Sequence, residues 1–160
     1  MASDKVLSVL TLSTALGSGL IAGVFFAFSA FVMRAFARLP PREGMAAMQS
    51  VNVAVLNPLF LTVFVGTAVA CILVIVSAFL RWSHPGAAYL LAGALLYLIG
   101  TFVVTMVFNV PLNDALAAVA PDAPNAASVW ASYLARWTAW NHVRTIAALA
   151  AAASLTIALR

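Results

Sequence analysis

Three polar residues near the C-terminus, Asn141, His142 and Arg144, interrupt an otherwise apolar stretch. An amide, an imidazole and a guanidinium are typical of a site that binds a polar group of a ligand or reacts with it. Asn141 and Arg144 are three residues apart and therefore share one face of a helix. His142 is offset from Asn141 by about 100°, so the two side chains are predicted to line adjacent walls of one cavity.

Six further polar residues lie close to the ends of apolar stretches. They come from separate parts of the chain: Gln49, Asn52, Asn57, Asn109, Asn113 and Asp114. If four apolar stretches cross a membrane, all six meet the Asn141–Arg144 segment at one membrane face. Ionisable groups at this depth are costly and often mark function, so this polar layer is the feature of the sequence that points to an activity.

Each of these residues also has a structural explanation that the sequence leaves open. Asn109 precedes Pro111 by two positions and can cap a helix end. Arg144 can extend its guanidinium to lipid headgroups, and His142 can be a packing residue. Three tryptophans of the same region are expected to be anchors at the membrane surface: Trp130, Trp137 and Trp140.

The composition is that of an integral membrane protein. Of the 160 residues, 65% are hydrophobic and 8% are charged, and the mean hydropathy is +1.09. The stretches 6–33, 44–80 and 82–113 carry no charged residue, and each exceeds the roughly 20 residues that cross a bilayer. The net charge of +4 comes from scattered basic residues, so nucleic-acid binding is not expected.

The chain is predicted to form one all-α domain over residues 1–160, an integral membrane bundle of four helices. The spans are expected near residues 6–37, 54–80, 87–108 and 138–159. Short interfacial helices are expected in the first and third connections, and Pro111 should kink or restart the third helix. Gly19 and Gly23 have the spacing of closely packed membrane helices, within the bundle or in a homo-oligomer.

Four spans place both chain ends at the face opposite the polar layer, together with the connection that holds Arg81 and His84. The polar face carries the larger number of basic residues: Arg34, Arg38, Arg42, Arg136 and Arg144. The positive-inside rule therefore predicts that this face is cytoplasmic. The first apolar stretch is about twice as long as a signal-peptide core, so a multi-pass protein of the plasma (inner) membrane without a cleaved signal is expected.

The residue inventory does not support several kinds of site. A zinc or di-iron centre needs three or four ligands, whereas the two histidines are predicted at opposite faces and the chain has four acidic residues. No metal or cofactor is predicted within one chain, although a haem on His142 or a metal between protomers stays open. No nucleotide-binding fingerprint is present. Cys71 is expected to be a packing residue.

Motifs spread over nearly the whole chain resemble those of the anthrone oxygenase family of small membrane proteins. They are GVFFAFS at 23–29, FVMR at 31–34, MQSVN at 48–52, NP at 57–58, FNVPLN at 108–113 and WTAWNHVR at 137–144. These segments coincide with the predicted polar layer and with the aromatic end of the first span.

The resemblance implies a membrane monooxygenase that uses O2 to convert the activated methylene of a flat, phenolic anthrone to an anthraquinone, as in polyketide pathways. Within this interpretation, His142 is the general base, and Arg144 and Asn141 stabilise the oxyanion. The residues assigned to substrate binding are Asn109, Asn113, Asn52, Asn57, Gln49, Phe25, Phe28 and Trp137. The anion of an anthrone can pass an electron to O2 directly, so no cofactor is implied.

Two other functions are compatible with the same residues. A non-catalytic module could bind a quinone, a lipid or a partner protein through the polar layer. A small transporter would need a continuous polar path, which the apolar middles of the second and third spans disfavour. The expected partners are therefore the lipid bilayer and a small aromatic molecule.

Overall fold

The part of the chain that the structure describes forms five helices. The computed structural model describes residues 2–83 and 85–160, and every regular element in these ranges is helical, which confirms the all-α prediction. Helix α1 comprises Ala2–Ala27, a π-helical segment Phe28–Val32 and a last turn Met33–Phe36. Helices α2, α3 and α5 are regular over Pro41–Ala54, Pro58–Leu80 and Ala126–Ile157. Helix α4 comprises Ala87–Leu95, the π-helical segments Leu96–Val103 and Thr105–Asn109, and Val110–Ala117.

Three of these helices are long and apolar enough to cross a membrane. They are α1 over Asp4–Phe36, α3, and α4 over Ala87–Ala117, and they identify a membrane protein. Helix α5 has 32 residues, but Asn141, His142 and Arg144 lower its hydropathy. The fourth span at 138–159 therefore stays a prediction, although α5 packs antiparallel to α1 and α4 along their length.

The four long helices form a ring in which α1 and α4 each contact both α3 and α5. Helix α4 comes closest to α5 at Gly93 and Gly100, where an added Cβ atom would lie 2.5–2.7 Å from a side chain of α5. At Gly19 and Gly23 an added Cβ atom would meet nothing within 4 Å. That pair therefore does not mediate helix packing inside the bundle, and its use in a homo-oligomer stays a prediction.

Several helix bounds differ from the expected ones for identifiable reasons. Helix α3 begins at Pro58 rather than near residue 54, because Asn57 Oδ1 accepts a hydrogen bond from the Phe60 amide at 3.0 Å and caps the helix. At Val110 the π-helical segment passes into regular α-helix, and Pro111 lies at the start of that α-helical part; the predicted kink at Pro111 stays a prediction. The helical backbone is continuous across this point and ends at Ala117.

A small second core closes the polar end of the bundle, and we call it the cap. It is formed by α2, the end of α4 and the start of α5, and its buried side chains include Met45, Met48 and Leu116. The expectation that Trp130 and Trp137 anchor the protein in the membrane surface is wrong. Both are buried, because they pack into the cap, at 3% and 5% exposure.

The opposite end of the bundle holds the chain ends and the second connection. Arg81 Nη1 donates a hydrogen bond to Asp4 Oδ1 at 2.6 Å, and both residues line a cavity with Arg160. The polar layer and the chain ends therefore lie at opposite ends of the bundle, as predicted. His84 lies outside the described residues.

Candidate functional site

Arg144 is a buried cation without an acidic partner. It is 3% exposed, and no carboxylate of the described residues lies within salt-bridge distance of it. Arg144 Nη2 donates to Asn141 Oδ1 at 2.8 Å, and Nη1 donates to Thr105 Oγ1 at 3.3 Å. Neutral oxygens thus take the place of the carboxylate that usually accompanies a buried arginine.

Two aromatic rings hold the Arg144 guanidinium from its faces. Its Cζ atom lies 4.1 Å from the centroid of the Phe25 ring and 5.0 Å from that of Trp137. Such cation–π contacts strengthen when they are shielded from water. Phe28 continues the aromatic wall, with its ring 5.6 Å from that of Trp137. The guanidinium is therefore fixed in an aromatic enclosure whose edges are polar.

Asn141 connects this enclosure to α1. It is fully buried, and its Nδ2 donates to the Phe25 carbonyl and to Ser29 Oγ, both at 2.8 Å. Ser29 Oγ also lies 3.0 Å from Thr145 Oγ1, which donates to the Asn141 carbonyl. The amide thus orients Arg144 with its oxygen and holds α1 against α5 with its nitrogen.

The neighbouring polar atoms leave hydrogen-bonding capacity unused. Asn109 is fully buried and donates through Nδ2 to the Trp137 carbonyl at 3.2 Å. Its Oδ1 has no partner among the described residues, and neither have Trp137 Nε1, Arg144 Nε and Asn52 Nδ2. Buried polar atoms left without partners cost about 1–3 kcal/mol each. Of these, Trp137 Nε1 and the Nε of Arg144 itself are donors that an anionic oxygen could satisfy.

All three π-helical segments of the described chain contribute to, or directly adjoin, this site. The segment Phe28–Val32 contains Ser29. The segment Thr105–Asn109 begins with Thr105, which bonds Arg144, and ends with Asn109, which bonds the Trp137 carbonyl. One residue separates it from the third segment, Leu96–Val103. A π turn carries an additional residue and redirects the side chains that follow, and such turns are frequent at functional sites. The backbone irregularities therefore mark the same place as the buried charge.

Some predicted site residues lie around the enclosure and others do not. The structure brings together Arg144, Asn141, Asn109, Phe25, Phe28 and Trp137. It does not bring His142 to them, because that side chain is exposed on the outer face of α5. The predicted role of His142 as general base stays a prediction, without a hydrogen-bond partner among the described residues.

The remaining amides have local contacts in or beside the cap. Gln49 Nε2 donates to the carbonyls of Leu116 and Val119 at 2.8 and 3.0 Å, so it holds α2 to the end of α4. Asn57 caps α3, and Asn52 is half-buried with a buried Nδ2. Asn113 accepts a hydrogen bond from the Tyr133 hydroxyl at 2.8 Å. None of these contacts involves Arg144 or Asn141.

Four contributors were missed by sequence analysis: Ser29, Thr105, Thr145 and Tyr133. Hydroxyl residues are frequent in membrane helices, so their presence gave little signal. Tyr133 lies one helical turn before Trp137, and their rings stack with centroids 6.1 Å apart. Burial raises the pKa of Tyr133 well above that of a free phenol, so the hydroxyl stays protonated and donates.

No three His, Cys, Asp or Glu side chains of the described residues lie close enough to hold a metal ion. The chemistry that the enclosure itself offers is the binding and stabilisation of an anion by a fixed guanidinium, N–H donors and aromatic faces.

Comparison with known proteins identifies the family. Residues 60–154 match the model of the anthrone oxygenase family. This segment contains most of α3, all of α4 and most of α5, and with them Thr105, Asn109, Trp137, Asn141 and Arg144. No curated protein and no solved structure matches the chain. Because the matched segment covers more than half of the 160 residues, the chain belongs to the anthrone oxygenase family.

Proposed function

We propose that the protein is a membrane-bound monooxygenase that oxidises a flat, lipophilic phenol of the anthrone type with O2. The observation that carries this proposal is the buried Arg144 guanidinium, which lies between two aromatic rings and faces no carboxylate of the described residues. A site of this kind favours a flat ligand that bears a negative charge on oxygen. Membership of the anthrone oxygenase family agrees with such a substrate.

The proposed reaction begins with the transfer of a proton from the methylene carbon of the anthrone to water. The charge of the resulting anion moves to the ring oxygen, where Arg144 and the N–H of Trp137 stabilise it. The anion gives one electron to O2, and the two radicals combine to form a carbon–oxygen bond. A proton from water converts the peroxide anion to the hydroperoxide. The hydroperoxide then loses water, so that one oxygen atom of O2 becomes the quinone carbonyl and the other becomes water.

The aromatic wall has a distinct role in this proposal. Phe25, Phe28 and Trp137 offer flat apolar surfaces to a polycyclic ring system, and ring stacking adds about 0.5–1.5 kcal/mol beyond the burial of area. Asn109 Oδ1, which has no partner among the described residues, would accept a hydrogen bond from a phenolic hydroxyl of the substrate. Substrate orientation thus uses one acceptor, while anion stabilisation uses the donors.

Oxygen uptake by the purified protein with emodin anthrone tests the proposal, with quinone formation followed by absorbance. Arg144→Gln should lower turnover by about 100-fold, the typical loss for one oxyanion donor. Arg144→Lys should lose less because it keeps the charge, but not the planar fork. Arg42→Gln, at an exposed position of α2, is the matched control and should behave like the wild type. A folded Arg144→Gln protein with wild-type turnover would refute the assignment.

A second candidate, a non-catalytic module that binds a quinone or lipid, is favoured by the position of His142. The predicted general base is exposed on α5, so it is not brought to Arg144 and Asn141. A binding module would retain an anthraquinone in equilibrium dialysis and show no anthrone-dependent oxygen uptake. The same Arg144→Gln variant would then lose retention of the quinone rather than turnover.

A further inference from the structure

A separate cavity lies between the end of α4 and the start of α5, outside the Arg144 enclosure. Its volume is about 260 Å³. Its lining combines the apolar side chains of Leu112, Leu116 and Val129 with the polar side chains of Ser132 and Arg136. No acidic residue lines it. The cavity therefore combines a surface for hydrocarbon with a site for one negative charge.

Ser132 and Arg136 are arranged to bind one anion together. They are four residues apart on α5, so they lie one helical turn apart on the same face. Neither side chain has a hydrogen-bond or ion-pair partner among the described residues, whereas nearby Ser128 donates to the Asn125 carbonyl at 2.8 Å. A guanidinium and a hydroxyl at this spacing are complementary to the oxygens of a phosphate group.

The position of the cavity along the bundle indicates where the anion comes from. Arg136 precedes the predicted span 138–159 by two residues, and Leu112 lies at the end of the charge-free stretch 82–113. The cavity thus lies at the level of the lipid headgroups, at the end of the bundle that holds the cap. Arg136 is exposed at this level, and each basic residue near an anionic membrane surface contributes about 1 kcal/mol to its binding.

We infer that this cavity binds the headgroup phosphate of an anionic membrane phospholipid. The phosphate accepts hydrogen bonds from Arg136 and Ser132, and the first part of an acyl chain lies on the leucine and valine side chains. Tyr133 lines the same cavity and donates its hydroxyl to Asn113. The bound lipid therefore packs against Tyr133, whose ring stacks on that of Trp137.

Native mass spectrometry of protein released from nanodiscs of equal parts phosphatidylglycerol and phosphatidylcholine tests the inference. The wild type should retain one phosphatidylglycerol in preference to phosphatidylcholine. Arg136→Gln should lower this preference about fivefold, the effect of one basic residue at an anionic surface, and Ser132→Ala should lower it less. Arg42→Gln, an exposed arginine of the cap, is the matched control and should retain the lipid.

Three results would overturn the inference. They are equal retention of the two lipids by the wild type, unchanged retention by a folded Arg136→Gln protein, and a loss as large in Arg42→Gln. Excess inorganic phosphate should leave the lipid in place, because the apolar side chains hold the acyl chain; complete displacement would assign the cavity to a free anion. Lipid retention is measured without oxygen uptake, so its result does not depend on whether the proposed oxidation is correct.

Discussion

Arg144 depends on Asn141 for its position, and Asn141 in turn joins two helices. The amide accepts a hydrogen bond from the guanidinium and donates to the Phe25 carbonyl and to Ser29 Oγ. A neutral amide satisfies the donors of an arginine without cancelling its charge. The charge therefore remains available to a ligand, which an aspartate at the same position would prevent.

Replacing Asn141 with leucine should destabilise the protein strongly. Leucine is similar in size but removes all three hydrogen bonds and leaves Arg144 with less compensation, so we expect a loss of about 3–5 kcal/mol, as for a broken buried charge pair. Thermal unfolding in detergent measures this effect. Ser29→Ala removes the weaker contacts on the same side and should cost about 1 kcal/mol. An Asn141→Leu protein that melts with the wild type would contradict the role of the amide.

His142 tests the sequence-based assignment against the geometry. Because its side chain is exposed on the outer face of α5, away from Asn141 and Arg144, we expect His142→Ala to lower anthrone-dependent oxygen uptake by much less than the roughly 100-fold that is the lower end for loss of a general base. Turnover across a pH series, compared with that of Arg144→Gln, measures this. A loss as large as that of Arg144→Gln would restore His142 as the base.

The sequence predicted the two central residues of the site but not the direction of the third. Asn141 and Arg144 share a helix face, and both are buried, as their spacing requires. The outward position of His142 is indicated by its helical neighbours Ile146 and Leu149, which are 69% and 62% exposed on the same stripe. In a membrane protein, an apolar stripe can face lipid or the core, so the sequence alone does not distinguish these two directions.

At the scale of the helices, the apolar stretches of the sequence predicted the positions of the three long apolar helices α1, α3 and α4. They did not indicate the π-helical segments, because a π turn arises from tertiary packing and has no residue pattern of its own. Nor did the apolar stretches indicate that the interfacial helix expected in the third connection is continuous with the last predicted span in one helix, α5. The tryptophans of this segment resemble interfacial anchors in sequence, and burial in the cap depends on partners from α2.

Two glycines, Gly44 of α2 and Gly66 of α3, allow a test of how tightly α2 packs against its neighbours in the cap. A Cβ atom at Gly44 would lie 2.8 Å from the Phe36 carbonyl and 3.0 Å from Trp130, whereas one at Gly66 would meet nothing within 4 Å. Gly44→Ala should therefore destabilise the protein by about 1–3 kcal/mol through overpacking. Gly66→Ala should stabilise it by up to about 1 kcal/mol, since alanine favours the helix.

Thermal unfolding of both variants in one detergent makes this comparison. The helix-forming effect of alanine is the same at both positions, so the difference in melting temperature reports the packing of α2. Equal melting temperatures would mean that α2 moves freely against Phe36 and Trp130.

At the scale of the whole molecule, the arrangement predicts opposite accessibility of its two ends. In a Cys71→Ala background, we expect Ser83→Cys to react with a membrane-impermeant thiol reagent in intact cells. Asp122→Cys, between α4 and α5, should react after the membrane is opened, because the polar end carries more arginines and is predicted to be cytoplasmic. Labelling of Asp122→Cys but not of Ser83→Cys in intact cells would reverse the orientation, and labelling of both positions would contradict the crossing of the membrane by α4.

The low hydropathy of α5 has a consequence for how the protein is made. An arginine within a membrane span raises the cost of insertion from the translocon, and α5 emerges after α1, α3 and α4. Its polar groups find their partners on α1 and α4, at Phe25, Ser29 and Thr105. Because α1 and α4 are synthesised earlier, we expect the insertion of α5 to depend on its contacts with these helices once they are in the membrane. The residues that hold the candidate active site together are therefore also the residues that direct the insertion of α5.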